Sequence, residues 1–138
     1  MKENVYLSGP LFCQAEIDWG GKIKAIILEE LGDRIEVIWP HELAAGKMQE
    51  IFQSNHQALD KCKVMVAILD GPAVDDGTAW EMGYFYARGG KIIGIRTDFR
   101  KAGEKAESRV NAMLECSCLD IVTSPIHLVS KLKEILAF

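Results

Sequence analysis

The chain has 138 residues, 49% hydrophobic and 26% charged. This is the make-up of one ordinary globular domain, and a chain of this size buries roughly two-thirds of its surface on folding, so it needs no disulfide or structural metal. Sixteen Lys and Arg against 20 Asp and Glu leave a net charge of −4, which disfavours a nucleic-acid polymer or a polybasic membrane contact. No apolar run approaches a bilayer span, and residues 1–10 lack the apolar core of a signal peptide, so the expected compartment is the cytoplasm.

Short apolar runs alternate with amphipathic segments along the chain. Residues 5–8 read as a first strand closed by Gly9 and Pro10. Residues 18–31 carry Trp19, Ile23, Ile26 and Ile27 at helical spacing, and Gly32 closes that helix. A second strand is expected over 35–39, stopped by Pro40, and a second helix over 48–61 with Ile51, Phe52 and Leu59 on one side. The unbroken apolar run 64–69 has the character of a strand buried on both faces. Helix 79–88, strand 92–95, helix 107–116, strand 119–122 and helix 126–136 complete the order. The charged stretch 97–106 reads as a surface loop or a lid.

Five strand–helix alternations imply an α/β fold: a five-stranded parallel sheet with helices on both faces, a three-layer sandwich of flavodoxin-like or Rossmann-like order. The whole of residues 1–138 is expected to form one domain. In such sheets ligands bind beyond the carboxyl ends of the strands. Ser8 to Phe12, Trp39 to His41, Asp70 to Glu81 and the stretch from Thr97 fall there.

Cys13, Cys62, Cys116 and Cys118 have no zinc-ligand spacing, and His41, His56 and His127 form no metal-binding cluster. Four free thiols, mostly packing residues, no metal and no cofactor are the expectation. Neither GxGxxG nor GxxxxGK[ST] is present.

Residues 69–91 carry the chemistry. A buried strand ends in Asp70, a loop holds Asp75 and Asp76, and Gly77-Thr78 opens a helix with Glu81 in its first turn. Two readings share these residues. Thr78 to Glu81 fits a capping box, with Asp75 and Asp76 as turn formers. A carboxylate at a helix N-terminus would also stay ionised and could attack an electron-poor carbon such as a sugar anomeric centre. Asp70 and Asp75 would then accept from sugar hydroxyls or a base.

Three segments carry a resemblance that spans nearly the whole chain. They are YLSGPLF (6–12), DDGTAWEMGY (75–84) and VNAM (110–113). The chain resembles the nucleoside 2-deoxyribosyltransferase family. The resemblance implies Glu81 as the nucleophile of a double displacement, with a glycosyl-enzyme ester and passage of the sugar to another nucleobase or to water. It implies that Asp75 binds the sugar and that Tyr6 orients Glu81. It also implies that Asn111 reaches the sugar 5'-hydroxyl of a neighbouring subunit's site, hence a homo-oligomer. Gly9, Pro10, Leu11, Phe12, Asn55, Asp70, Gly77, Asn111 and Met113 are the expected substrate-binding positions. Leu11 and Phe12 offer an apolar face for a base, although Phe12 is equally a helix-packing candidate.

Two positions depart from that pattern. The Asp that the family uses on the nucleobase falls on Asn55, which can hydrogen-bond a base but cannot act as a general acid. Either Asp70 or Asp76 substitutes, or base specificity has changed, or activity is low. The chain also ends in a helix with Ala137-Phe138, with no sign that its carboxylate reaches the site. A related branch hydrolyses 2'-deoxynucleoside 5'-monophosphates. Asn111 and the Pro/Phe loop favour nucleosides instead, while Arg96 or Arg100 would serve a phosphate or pair with acids such as Asp98. A non-catalytic nucleoside-binding module of the same fold is the rival that Asn55 supports. A phosphoribohydrolase of the cytokinin-activating type is a weaker one, because its Pro-Gly-Gly-x-Gly-Thr loop is missing. His41 reads as a loop residue, and Tyr84 and Tyr86 as core or interface residues.

Overall fold

A computed structural model describes residues 1–43 and 45–138. Five parallel strands lie in the order β2-β1-β3-β4-β5. They are β1 (Glu3–Ser8), β2 (Ile35–Ile38), β3 (Val64–Ile68), β4 (Lys91–Ile95) and β5 (Asp120–Val122). The helices are α1 (Gln14–Leu31), α2 (Met48–Asp60), α3 (Asp76–Ala87), α4 (Ala112–Glu115) and α5 (Pro125–Leu136). This is the expected three-layer α/β sandwich of flavodoxin-like order. Among the described residues no helix is long and apolar enough to cross a membrane.

Strand periodicity sorts the core into two halves. Val5 and Leu7 of β1, with Val64, Val66 and Ile68 of β3, meet Ile23 and Ile27 of α1 and Leu128 and Leu132 of α5. The alternate residues Tyr6, Met65, Ala67 and Leu69 meet Leu59 of α2 and Met82 and Phe85 of α3. β3 is buried at every residue, as its unbroken apolar run predicts. The strand order reverses between β1 and β3, where Ser8 pairs with Ala67, so the switch-point crevice opens beside Ser8 and Gly9.

Three elements differ from expectation, among them α3, which starts at Asp76 and not at 79. α1 starts four residues early, at Gln14, because the Glu16 carboxylate reaches back and accepts from the N–H groups of Phe12 (2.9 Å) and Cys13 (3.1 Å). The helix expected over 107–116 shrinks to Ala112–Glu115. Side chains there compete for the backbone: Glu115 accepts from the N–H of Arg109 (3.0 Å), and Glu104 from that of Ala112 (3.0 Å).

The thiols are free; Cys62 is buried and Cys118 half-buried, both pushed up to about 12 by desolvation. Cys13 and Cys116 are exposed, so only half of the cysteines pack.

Trp39, just after β2, lies against two glycines of α1. A Cβ on Gly20 would stand 2.9 Å from the rigid indole, whereas one on Gly21 would make an ordinary 3.5 Å contact. Alanine gains about 1 kcal/mol of helix propensity at either position, but overpacking costs about 1–3 kcal/mol at the first alone. Gly21→Ala is therefore expected to raise the urea midpoint and Gly20→Ala to lower it, with unchanged m-values.

Candidate active site

The crevice at the switch point is a cavity of about 430 Å³, in the range of small-molecule sites. Gly9, Leu11 and Phe12 come from the β1 loop, Asn55 and His56 from α2, and Asp75, Gly77, Trp80 and Glu81 from α3 and its cap. Much of the remaining wall is apolar, with Pro40, Ile51, Phe52 and Leu59. Phe12 is 81% exposed, so it lines the cleft and does not pack a helix.

Glu81 is held from the sheet. Tyr6 and Ser8 stand on the same face of β1, two residues apart, and both hydroxyls donate to the Glu81 carboxylate, Ser8 to Oε1 at 2.7 Å and Tyr6 to Oε2. Desolvation raises the Glu81 pKa above the ordinary carboxylate value; the bonds from Tyr6 and Ser8 pull it back, and the Asp75 charge adds to the rise. Burial, and then the Glu81 charge, push the Tyr6 phenol far upward, so it stays a donor.

The capping-box reading fails. Asp75, not Thr78, is the N-cap of α3, and its Oδ2 accepts from the Thr78 N–H (2.9 Å) and Oγ1 (3.1 Å). Glu81 is therefore the sixth helical residue, in the second turn, and its carboxyl caps nothing. The supposed stabilisation by the helix N-terminus gives way to hydroxyl donors from β1. Asp75 Oδ1 has no protein partner among the described residues and belongs to the cleft wall.

Other expected site residues lie elsewhere. Asp70 is turned away from the cleft and ties two loops together. It accepts from Trp19 Nε1 (3.0 Å), the Thr97 N–H (2.6 Å) and Oγ1 (2.9 Å), and the Asp98 N–H (2.9 Å). Neither Pro10 nor Asp76 lines the cavity. Asn111 and Met113 lie in a second groove with Ala79, Gly83 and Tyr86, where Asn111 Oδ1 caps the Met113 N–H (2.9 Å).

The two arginines weighed for phosphate are occupied. Arg96, 3% exposed, donates to the carbonyls of Leu69, Gly71 (3.0 Å) and Arg100 (2.8 Å). Arg100 pairs with Asp98 and holds that carboxyl well below the usual range. Together with Asp70 they fasten the stretch from Thr97 to the β3 loop, so that stretch is a pinned loop. His41 packs against Trp39 with ring centres 4.7 Å apart and planes tilted by 45°, and does not line the cavity. Phe138 lies under the Arg34 guanidinium, which directly precedes β2, at the sheet end away from the cleft.

Sequence reasoning passed over Ser8 as a partner of Glu81, although it stands two residues from Tyr6 on the same strand face. It also passed over Phe52, His56 and Trp80 as cleft residues; the four-residue spacing of Phe52 and His56 on α2 was the available signal.

A model of the nucleoside 2-deoxyribosyltransferases matches residues 5–113, most of the chain. The chain belongs to the nucleoside 2-deoxyribosyltransferase family. The family match supports an activity of the nucleoside 2-deoxyribosyltransferase type. Among solved structures, a conserved protein from Enterococcus faecalis V583 superposes with a TM-score of 0.81 at 26% identity, covering 97% of this chain and 99% of that one. A 2-desoxiribosyltransferase from Leishmania mexicana follows at 0.75 and 19% identity, with coverage of 95% and 96%. The Clostridium botulinum CMP N-glycosidase BcmB gives 0.59 at 18% identity, with coverage of 95% and 99%. No curated protein matches.

A family member that holds a desolvated carboxylate gives up stability for it. Because the folded-state pKa of Glu81 is raised, the cost is absent below the unfolded value of about 4.3 and complete above the folded value. Glu81→Gln is therefore expected to raise Tm at pH 7 by about 2 °C or more, with the difference closing as pH falls toward 4 in calorimetric scans.

Proposed function

We propose that this protein cleaves the N-glycosidic bond of 2'-deoxynucleosides through a covalent Glu81 intermediate and passes the sugar to another nucleobase or to water. The observation that carries the reading is the buried carboxylate gripped by Tyr6 and Ser8 at the wall of an aromatic-lined cleft. In the first step a Glu81 oxygen bonds to the anomeric carbon, and the carbon–nitrogen bond breaks with its electron pair leaving on the base. In the second, the nitrogen of an acceptor base or the oxygen of water displaces Glu81, regenerating the carboxylate with overall retention. Asp75 accepts from sugar hydroxyls, Gly9 and Gly77 lie along the substrate, and Leu11, Phe12 and Asn55 contact the base.

Among the described residues no Lys or Arg lines the cleft. This supports a neutral nucleoside over a 5'-monophosphate, whose phosphate would call for a cation. Asn55 favours the rival reading of a non-catalytic binding module. Incubation with a 2'-deoxynucleoside and a different free base is expected to yield the exchanged nucleoside, and Glu81→Ala to abolish it. Thermal stabilisation by nucleosides without any base release, across a panel of bases and 5'-monophosphates, would sink the enzymatic reading in favour of the module.

The remote groove of Asn111 and Met113, the latter 80% exposed, supports a homo-oligomer in which Asn111 serves a neighbour's cleft. Mixing inactive Glu81→Ala with Asn111→Ala chains, after exchange of subunits, is expected to restore activity at hybrid sites. Mixtures no more active than the separate variants would exclude shared sites.

A further inference from the structure

A deoxyribosyl transfer that leaves a neutral base needs a proton at that base as the bond breaks. Asn55 cannot supply it, and Asp70 is fully engaged away from the cleft. Asp76 does not line the cavity, and the Tyr6 proton is committed to Glu81. Asp75 also lines the cleft but is assigned to the sugar hydroxyls, which leaves His56, beside Asn55, as the acid–base side chain on the base side of the wall.

The imidazole of His56 is held on several sides. Phe52, one turn earlier on α2, stacks on it at 5.8 Å with ring planes 9° apart, and Tyr84 of α3 packs at 4.9 Å. His56 Nδ1 stands 4.0 Å from Asp60 Oδ2, at ion-pair range. Asp60 is itself fixed from α3: Tyr84 Oη donates to its Oδ1 at 2.6 Å, and Arg88 Nη1 lies 3.4 Å away. The Tyr84 hydrogen bond and the Arg88 charge keep Asp60 ionised below the ordinary range. The charged and titratable groups around the imidazole are thus Asp60 on its own helix, Tyr84 and Arg88 on α3, and Asp75 and Glu81 across the cleft. Three of these are carboxylates, against one cation already paired with Asp60.

We propose that His56 is the general acid toward the leaving nucleobase, with Asp60 as its positioning residue, in place of the acid that Asn55 cannot provide. The inference rests on the reading of Glu81 as nucleophile. As Glu81 bonds to the anomeric carbon, the glycosidic electron pair passes to the base. The imidazolium N–H proton moves to a nitrogen or oxygen of that base, leaving a neutral base and a neutral imidazole. In the return step the imidazole takes the proton from the incoming base or water. Histidine suits this exchange because one ring nitrogen can give a proton and take it back. Asn55, beside it, orients the base edge without charge.

The test compares two leaving groups on the full chain. An ordinary 2'-deoxynucleoside needs a proton to release its base, whereas N7-methyl-2'-deoxyguanosine releases a neutral base without one. His56→Gln is expected to lower kcat/KM on the ordinary substrate by about 100-fold or more, and to lower it far less on the methylated one. The alkaline limb of the pH profile on the ordinary substrate is expected to vanish in the same variant. Asp60→Asn, at an exposed position, gives a smaller loss with the same discrimination and keeps the test alive if His56→Gln does not fold. Equal losses on both substrates, no loss, or a retained alkaline limb would overturn the role of His56 while Glu81→Ala still abolishes turnover. Release of base from neither substrate by the unaltered chain would overturn the glycosidic reading and this inference with it.

Discussion

The grip of β1 on α3 is the constraint around which the site is organised. A carboxylate on the inner face of a helix would be expensive to bury alone. Here two hydroxyls from consecutive inward positions of one strand, Tyr6 and Ser8, satisfy it. β1 is paired on both edges, with β2 and β3, and α3 is capped by Asp75, so both partners are anchored. The same cap places Asp75 close enough to Glu81 for its charge to raise the carboxyl pKa. The nucleophile candidate thus keeps a desolvated, oriented carboxylate, the state in which negative charge is most reactive toward an electron-poor carbon.

Around that grip the fold separates chemistry from support. The cleft draws on the first loop, α2 and α3, whereas Asp70 and Arg96, which also lie at strand ends, bond mainly to the loops after β3 and β4, with one further bond from Trp19 of α1 to Asp70. Those bonds keep one side of the sheet's carboxyl edge rigid without entering the cleft. The aromatic ladder of Phe52, His56, Tyr84 and Trp80 then couples α2 to α3, and Phe52, His56 and Trp80 line the cleft.

Much of this was legible in residue order. Alternating apolar runs and amphipathic segments predict the parallel sheet, and two of the three family-like segments place Glu81, Asp75, Tyr6, Leu11 and Phe12, which meet with Asn55 at or just behind one cleft, whereas Asn111 and Met113 of the third lie in another groove. The misreadings have a common cause. Asp70, Asp75 and Asp76 are close in sequence and look like one acidic cluster, but the turn after β3 sends Asp70 to Trp19 and Thr97 while Asp75 turns into the cap of α3. Spacing along a chain does not encode which way a loop residue points. The short α4 shows the same limit: Glu104 and Glu115 take over backbone N–H groups that a longer helix would have used.

The mild acidity of the chain excluded nucleic-acid and membrane partners as expectations but left open what the acids do. The sequence by itself determined the class of fold, the end of the sheet at which the cleft opens, and the family, because period-2 and period-3.6 burial and a few fixed motifs are local properties. Tertiary structure decided the partners. It set Tyr6 and Ser8 against Glu81 across 75 and 73 residues, retired Asp70 and Arg96 to structural duty, and brought His56 to the cleft wall beside Asn55. Those pairings depend on strand order and helix rotation, which only the packed sheet fixes.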